Sequence, residues 1–426
     1  MKGKTVIIYL VLIMVALLPR VLLVIFSSAS LTGDEITYNS LASSIIHGKG
    51  FSILNKPFID VPPVYPYFLA LIYRLLGYSF INIRLIQAFI GSIICVLVYL
   101  ICKRLFNRRA VIIAFLLTVF NPALIKSCER IRSECLFIFL VMLSVLILME
   151  VYKKPRTMFL ILLGVNIGLA TLTRGIFILF PLFFIASLMF IKTKKGLVKY
   201  SLITILFFSL TLAPWVIRNW FLLHAFVPVT TQTGLAFYSS FNPRDGKFYG
   251  FNAKDQITEE ADKLNSEVAK SSFLTSQTLK SIKKNLPKLP RIELLKFLYF
   301  WAPFDWEIIG EGKYNFIYGF IFPFLMAGFI FTIRNFRDYF CLYLPIIYFQ
   351  TMALIFYGSP RFRLPIEPYL IIIASAGIAY FIAHFSKKIY GFLLTGFYFL
   401  LNLLLYFSSY QVKLFFKYIF EKVHLW

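Results

Sequence analysis

Apolar runs of membrane-crossing length recur along this 426-residue chain, and they leave it few folds. A helix needs about 20 mainly apolar residues to cross hydrocarbon. Runs of that order fall at 5–26, 85–102, 110–126, 135–152, 158–173, 176–191, 200–217, 314–333, 340–357, 365–384 and 390–409. Backbone in lipid has to satisfy its own hydrogen bonds, so each run is expected to be helical. Composition agrees, with 59% hydrophobic and 15% charged residues, against roughly 25% charged in ordinary soluble domains. The expected fold is an all-α polytopic membrane protein of about eleven transmembrane helices.

A net charge of +25 would suggest nucleic acid in a soluble protein. Here the cations lie between apolar runs: Lys2 and Lys4; Lys103, Arg104, Arg108 and Arg109; Lys153, Lys154 and Arg156; Lys192, Lys194, Lys195 and Lys199; Arg334 and Arg337; Lys387 and Lys388. Alternating sides from Lys2 puts all of these in the cytoplasm, as the positive-inside rule requires. Nucleic-acid binding is set aside, because no basic soluble domain exists to carry it. The first run is longer than the 7–15 apolar residues usual in a signal peptide and is read as an uncleaved first helix, amino terminus inside. External connections then fall at 27–84, around 129–134, at 218–313 and at 358–363. The chain accordingly divides into a transmembrane catalytic module (1–217), an external loop domain (218–313) and carboxy-terminal transmembrane helices (314–426). Residues 66–77 are expected as an interfacial helix and Asp255–Lys284 as one amphipathic helix.

Cys95, Cys102 and Cys341 sit in apolar runs, where a thiol behaves as a small hydrophobe. On a continuous helix the seven-residue spacing of Cys128 and Cys135 would separate them by about 10 Å, beyond disulfide reach. Four scattered histidines show no metal-ligand spacing. No phosphate-cradling glycine loop, dinucleotide fingerprint or Asp-x-Asp pair is present. Asp305-Trp306-Glu307 comes nearest, and is read as an interfacial anchor in preference to a metal site.

The ionisable residues that could carry chemistry gather at external helix mouths. Asp34-Glu35 follows the first run. One reading is a solvated loop or a helix cap; the other is a carboxylate general base at the membrane surface. Glu134 opens an apolar run behind Glu129-Arg130-Ile131-Arg132. Pairs Glu129–Arg132 and Arg130–Glu134 would be structural, whereas an ionisable group at a helix mouth points to function. Arg84, Arg174, Arg218, Arg361 and Arg363 mark outer helix ends. Their planar forks suit phosphate oxygens, with snorkelling to headgroups as the alternative and the preferred one for Arg218. Arg20, inside the first run, requires an internal partner such as a carboxylate.

The order of short motifs resembles a family. Gly33-Asp34-Glu35-Ile36-Thr37-Tyr38 is followed by Pro62-Pro63-Val64-Tyr65-Pro66, then Arg84 to Gln87, Asn121-Pro122, Arg132-Ser133-Glu134 and Gly168-Leu169-Ala170-Thr171-Leu172-Thr173-Arg174. Further on come Pro214-Trp215-Val216-Ile217-Arg218-Asn219, Phe226-Val227-Pro228-Val229-Thr230-Thr231 with Gly234, and Arg361-Phe362-Arg363-Leu364-Pro365. This resembles glycosyltransferase family 39 of the C-type superfamily, the bacterial relatives of protein O-mannosyltransferases and of the lipid A aminoarabinose transferase. The resemblance covers 1–240 and, locally, 358–376.

It implies a C-type glycosyltransferase fold in the cytoplasmic (inner) membrane, its active site facing the exterior. The donor would be a sugar on a polyprenyl phosphate, the acceptor an envelope lipid, glycan or protein hydroxyl. Asp34 matches the family's catalytic acidic position, Glu35 is its neighbour, and Glu134 matches the second acidic position. Arg84, Arg174, Arg361 and Arg363 are expected to hold the carrier phosphate, with Arg20, Tyr38 and Tyr65 in support. Some relatives use a divalent metal at the acidic pair, so a metal at Asp34 and Glu134 stays open. The expected chemistry is single displacement with inversion. Rival readings are a transporter or flippase of lipid-linked sugars, a non-enzymatic envelope scaffold, and a related transferase with another donor.

Overall fold

The apolar runs fold as helices in the computed structural model, which describes residues 2–27, 29–190, 196–241, 255–305, 313–356, 358–385, 389–408 and 411. The amino-terminal half comprises α1 (Lys2–Phe26), α2 (Asp34–Ile46), a short hairpin β1 (Ser52–Ile53) and β2 (Lys56–Pro57), α3 (Val64–Leu76), α4 (Phe80–Leu105), α5 (Arg108–Val119), α6 (Pro122–Glu129), α7 (Glu134–Lys153), α8 (Thr157–Thr173), α9 (Phe180–Ser187) and α10 (Leu197–Leu223). Then follow α11 (Thr233–Phe241), α12 (Gln256–Asp262), α13 (Glu267–Lys284), α14 (Leu289–Trp301), the pair β3 (Phe304–Asp305) and β4 (Lys313–Tyr314), α15 (Phe316–Ile333), α16 (Phe336–Ile355), α17 (Pro360–Arg363), α18 (Glu367–Phe385) and α19 (Ile389–Phe407).

All eleven expected runs are helical, but fewer are long enough to span. Among the described residues seven helices are long and apolar enough, or eight if α5 and α6, bent by 44° at Asn121-Pro122, count as one span. Part of the difference lies in Thr157–Thr173 and Gly175–Phe190, which are short or broken. Proline and short 3₁₀ turns interrupt the second of these. The stretch expected as an interfacial helix is helical and forms α3. The expected single helix over Asp255–Lys284 is two, because Ser266 caps a new start and Asp255 closes a capping box on the first. Lys192, Lys194, Lys195, Lys387 and Lys388 lie outside the described residues, as do Trp306 and Glu307 of the expected interfacial anchor.

Packing follows residue size. Gly164 and Gly168 lie one turn apart on α8, where added Cβ atoms would come within 2.4 Å of the Thr204 carbonyl and 2.6 Å of Thr211 on α10. Small residues at that spacing let helix backbones approach. The span at the centre of the bundle is α18, where every residue from Glu367 to Gly377 is buried. Exposed leucines, valines and isoleucines along α1 mark a peripheral, lipid-facing helix. Together the helices make a multi-pass membrane protein.

Candidate active site

The chain turns at Gly33, whose φ of +51° suits a residue without a Cβ, and α2 begins at Asp34. Asp34 does not cap that helix. Its half-exposed carboxylate accepts a hydrogen bond from Arg361 Nη2 at 2.8 Å. Glu35 is buried instead. Its Oε2 accepts from the Thr32 amide at 3.1 Å, and its Oε1 lies 3.3 Å from Arg132 Nε and 3.6 Å from Arg130 Nη1.

Both of these arginines come from the break between α6 and α7. Glu134 starts α7, where the helix dipole favours a carboxylate. Its Oε1 accepts from Arg361 Nε at 2.7 Å and sits 3.0 Å from Arg174 Nη1. The Arg361 guanidinium therefore bridges the two acidic groups, Nη2 on Asp34 and Nε on Glu134. Ser359 caps the turn that delivers it, accepting from the Arg361 amide at 3.3 Å, with Pro360 as first helical residue. Arg174 ends α8 and stacks over Phe362, 5.6 Å from the ring centre.

A buried relay holds the break in place. Tyr38 meets Tyr65 edge-on at 4.9 Å. Tyr65 donates to Gln87 Oε1 at 2.7 Å, and Gln87 Nε2 donates to the carbonyls of Cys128 and Arg130 at 2.9 and 2.8 Å. Burial raises both phenols above their ordinary range, with the Asp34 charge a lesser cause for Tyr38. They stay neutral and act as hydrogen-bonding groups.

Beside this constellation is a small cleft lined by Lys126, Ser127, Arg130, Arg132, Glu134, Arg361 and Leu364. Four of those side chains are cationic and one acidic, so the lining favours an anion. Glu134 Oε2 is buried with no hydrogen-bond partner among the described residues. Lys126 and Gln87 were missed by sequence reasoning, and Arg130 and Arg132 were assigned other partners. One signal was available: three cations crowd a short connection on the side opposite the basic clusters.

Several expected site arginines are placed elsewhere. Arg363 is buried, bonding Glu367 Oε1 at 2.8 Å and the carbonyls of Phe300 and Ala302 at 2.9 and 2.8 Å. Residues two apart on a helical turn face different ways, so Arg361 and Arg363 cannot both reach the cleft. Arg84 donates to the Ala29 carbonyl at 2.6 Å and holds the first connection. Arg20 finds no carboxylate among the described residues. It bonds the Ala16 carbonyl at 2.7 Å, Cys95 Sγ at 3.2 Å, and the Thr118 and Val119 carbonyls at 3.4 Å each. The last two end α5, where helix carbonyls lack partners. Arg218 does not snorkel: it grips the Phe51 and Phe58 carbonyls and stacks on Trp215. Glu129 accepts from the Ser27 hydroxyl, and Arg130 and Arg132 turn to Glu35, so neither expected helical pair forms.

A divalent metal fits this donor set poorly. Asp34 and Glu134 are already neutralised by guanidinium groups, and no group of three or more His, Cys, Asp or Glu ligands occurs among the described residues.

The helix order defines an all-α polytopic membrane fold, and solved structures share it. Residues 60–218 match the family model described as dolichyl-phosphate-mannose-protein mannosyltransferase, which bears out the resemblance read from the motifs over that stretch. Oligosaccharyltransferase AglB from Archaeoglobus fulgidus, solved with an inhibitory peptide and a dolichol-phosphate, superimposes with a TM-score of 0.56 at 16% identity over 94% of this chain and 54% of that one. Its apo form gives 0.57 at 17% identity over the same shares, 94% and 54%. ArnT from Cupriavidus metallidurans bound to undecaprenyl phosphate gives 0.42 at 14% identity, over 91% of this chain and 80% of that one. This chain thus spans about half the length of AglB, 54%, and at such identities the likeness is one of fold. Comparison with curated proteins finds no match.

Proposed function

We propose that this protein is a membrane glycosyltransferase that moves a sugar from a polyprenyl-phosphate carrier to a hydroxyl acceptor with inversion. The observation that carries this reading is the Arg361 guanidinium bridging Asp34 and Glu134, beside Arg174 and a cation-lined cleft. The matched family and the dolichol-phosphate in the AglB complex support the donor class.

Asp34, the exposed member of the pair, takes the acceptor hydroxyl proton as the acceptor oxygen bonds to the anomeric carbon. The bond from that carbon to the phosphate oxygen breaks, and the carrier phosphate leaves with an added negative charge. Lys126, Arg130, Arg132 and Arg361 meet that charge with preplaced donors, which act most strongly where water is scarce. Glu134 fixes the orientation of Arg361 and Arg174. The basic clusters at the far ends of α4 and α7 favour a cytoplasmic membrane with the site on its outer side.

The test supplies the purified full-length protein with a radiolabelled polyprenyl-phosphate sugar and a membrane extract as acceptor. Label should pass to an acceptor, and Asp34→Asn should lower turnover by about 10²–10⁴-fold, the usual contribution of a positioned acid–base group. Near-normal transfer by that variant defeats the base assignment, and relocation of intact donor without consumption defeats the enzyme reading.

A further inference from the structure

We propose that the segment from Leu279 to Leu298 is an interfacial anchor that docks on anionic phospholipid headgroups of the leaflet nearest the cleft. Between Glu267 and Glu293 the chain carries no acidic residue and six cations, Lys270, Lys280, Lys283, Lys284, Lys288 and Arg291. Lys280, Lys283, Lys284 and Lys288 are all exposed. Leu279 and Leu286, 51% and 60% exposed, stand among them. The following helix, α14, buries Leu295, Lys296 and Phe300 and leaves Leu294, Phe297 and Leu298 open on its other side.

Its depth is set by α16, one of the spans. Lys296 Nζ donates to the Leu354 carbonyl at 2.7 Å, and Trp301 Nε1 donates to Gln350 Oε1 at 2.7 Å. Both acceptors lie in the last turns of α16, so α14 sits at the level where a span leaves the bilayer. That end is also the cleft's end, because Arg363 ties the Phe300 and Ala302 carbonyls to the turn that carries Arg361.

Lysines interleaved with open leucines and a phenylalanine at that depth match what a headgroup region offers: phosphates above, acyl chains below. A soluble anionic glycan would engage the lysines yet leave five large apolar side chains in water. Lipid accounts for both halves of the surface.

The native cysteines are all buried, so Leu286→Cys can be labelled selectively with an environment-sensitive fluorophore in the full-length protein. In nanodiscs containing phosphatidylglycerol, quenching by doxyl-labelled lipid should be several-fold stronger than in phosphatidylcholine alone. High salt should remove the difference, as should glutamine at positions 280, 283, 284 and 288 together. Equal quenching in both lipids, or quenching indifferent to both salt and the lysines, overturns the proposal. So does a response to soluble polyphosphate with none to phosphatidylglycerol. The salt arm uses the unaltered lysines, so a folding defect in the multiple variant cannot mask the answer.

Discussion

At the scale of single residues, the site turns on one planar cation with two acidic partners. A guanidinium can place Nε on one carboxylate and Nη2 on another; an ammonium, as a compact point charge, cannot hold both in that geometry. Arg361→Lys is therefore expected to keep the charge but lose the bridge, lowering turnover by about 10²–10³-fold, the usual cost of one preplaced donor. The labelled-donor assay measures this, and an undiminished rate would mean that charge alone suffices. Asp34, Glu134, Arg174 and Arg361 were legible in the sequence as a set, since each falls in a short motif at an outer helix mouth. Arg84 and Arg363 carried the same signature and went elsewhere. Residue type and helix end are visible in a sequence, but the direction of a side chain is settled by its neighbours. Arg363 turns to Glu367 because its position on the turn is opposed to that of Arg361.

Among elements, the break between α6 and α7 matters most. Expecting i,i+3 and i,i+4 pairs around Glu129–Glu134 presumed a continuous helix. The helix stops at Glu129, which frees Arg130 and Arg132 to meet Glu35. The same break brings the sulfurs of Cys128 and Cys135 to 3.7 Å, where a continuous helix would have held them far apart. No Gly or Pro announces it. It is held from a distance by Gln87, a tertiary contact that no local pattern encodes. Helix α14 supplies a separate prediction. Burial lowers the Lys296 amine from its ordinary 10.5 to about 8, although Glu293 beside it acts in the opposite sense. Below pH 8 the lysine is charged in both folded and unfolded chains, and burial opposes folding in full. Between about 8 and 10.5 the unfolded chain binds the extra proton, so this residue's contribution to stability rises with pH. In thermal melts of the detergent-solubilised protein, the wild-type midpoint should gain on that of Lys296→Met across this window. Parallel curves would show that Lys296 keeps its ordinary titration.

For the whole molecule, eleven helical stretches were legible because hydrophobic length is a one-dimensional property. Which of them cross was not, since α8 and the broken stretch at 175–190 are shorter than a span. The site draws on the end of α1, the starts of α4 and α7, the end of α8 and the start of α18, so all of those ends must share one side. Lys103 and Arg104 end α4, and Lys153 ends α7. The charge rule then predicts the cytoplasm for that far side and the exterior for the cleft, where the proposed lipid-linked donor would be used. Two positions suffice to check it: Leu54, 91% exposed in the first connection on the cleft side, and Lys154, exposed between α7 and α8. Background from the buried native thiols is low. In intact cells (spheroplasts where an outer membrane intervenes), an impermeant maleimide should modify Leu54→Cys at once. Lys154→Cys should react only after permeabilisation, and the reverse order would place the cleft in the cytoplasm and remove the exterior donor reading with it.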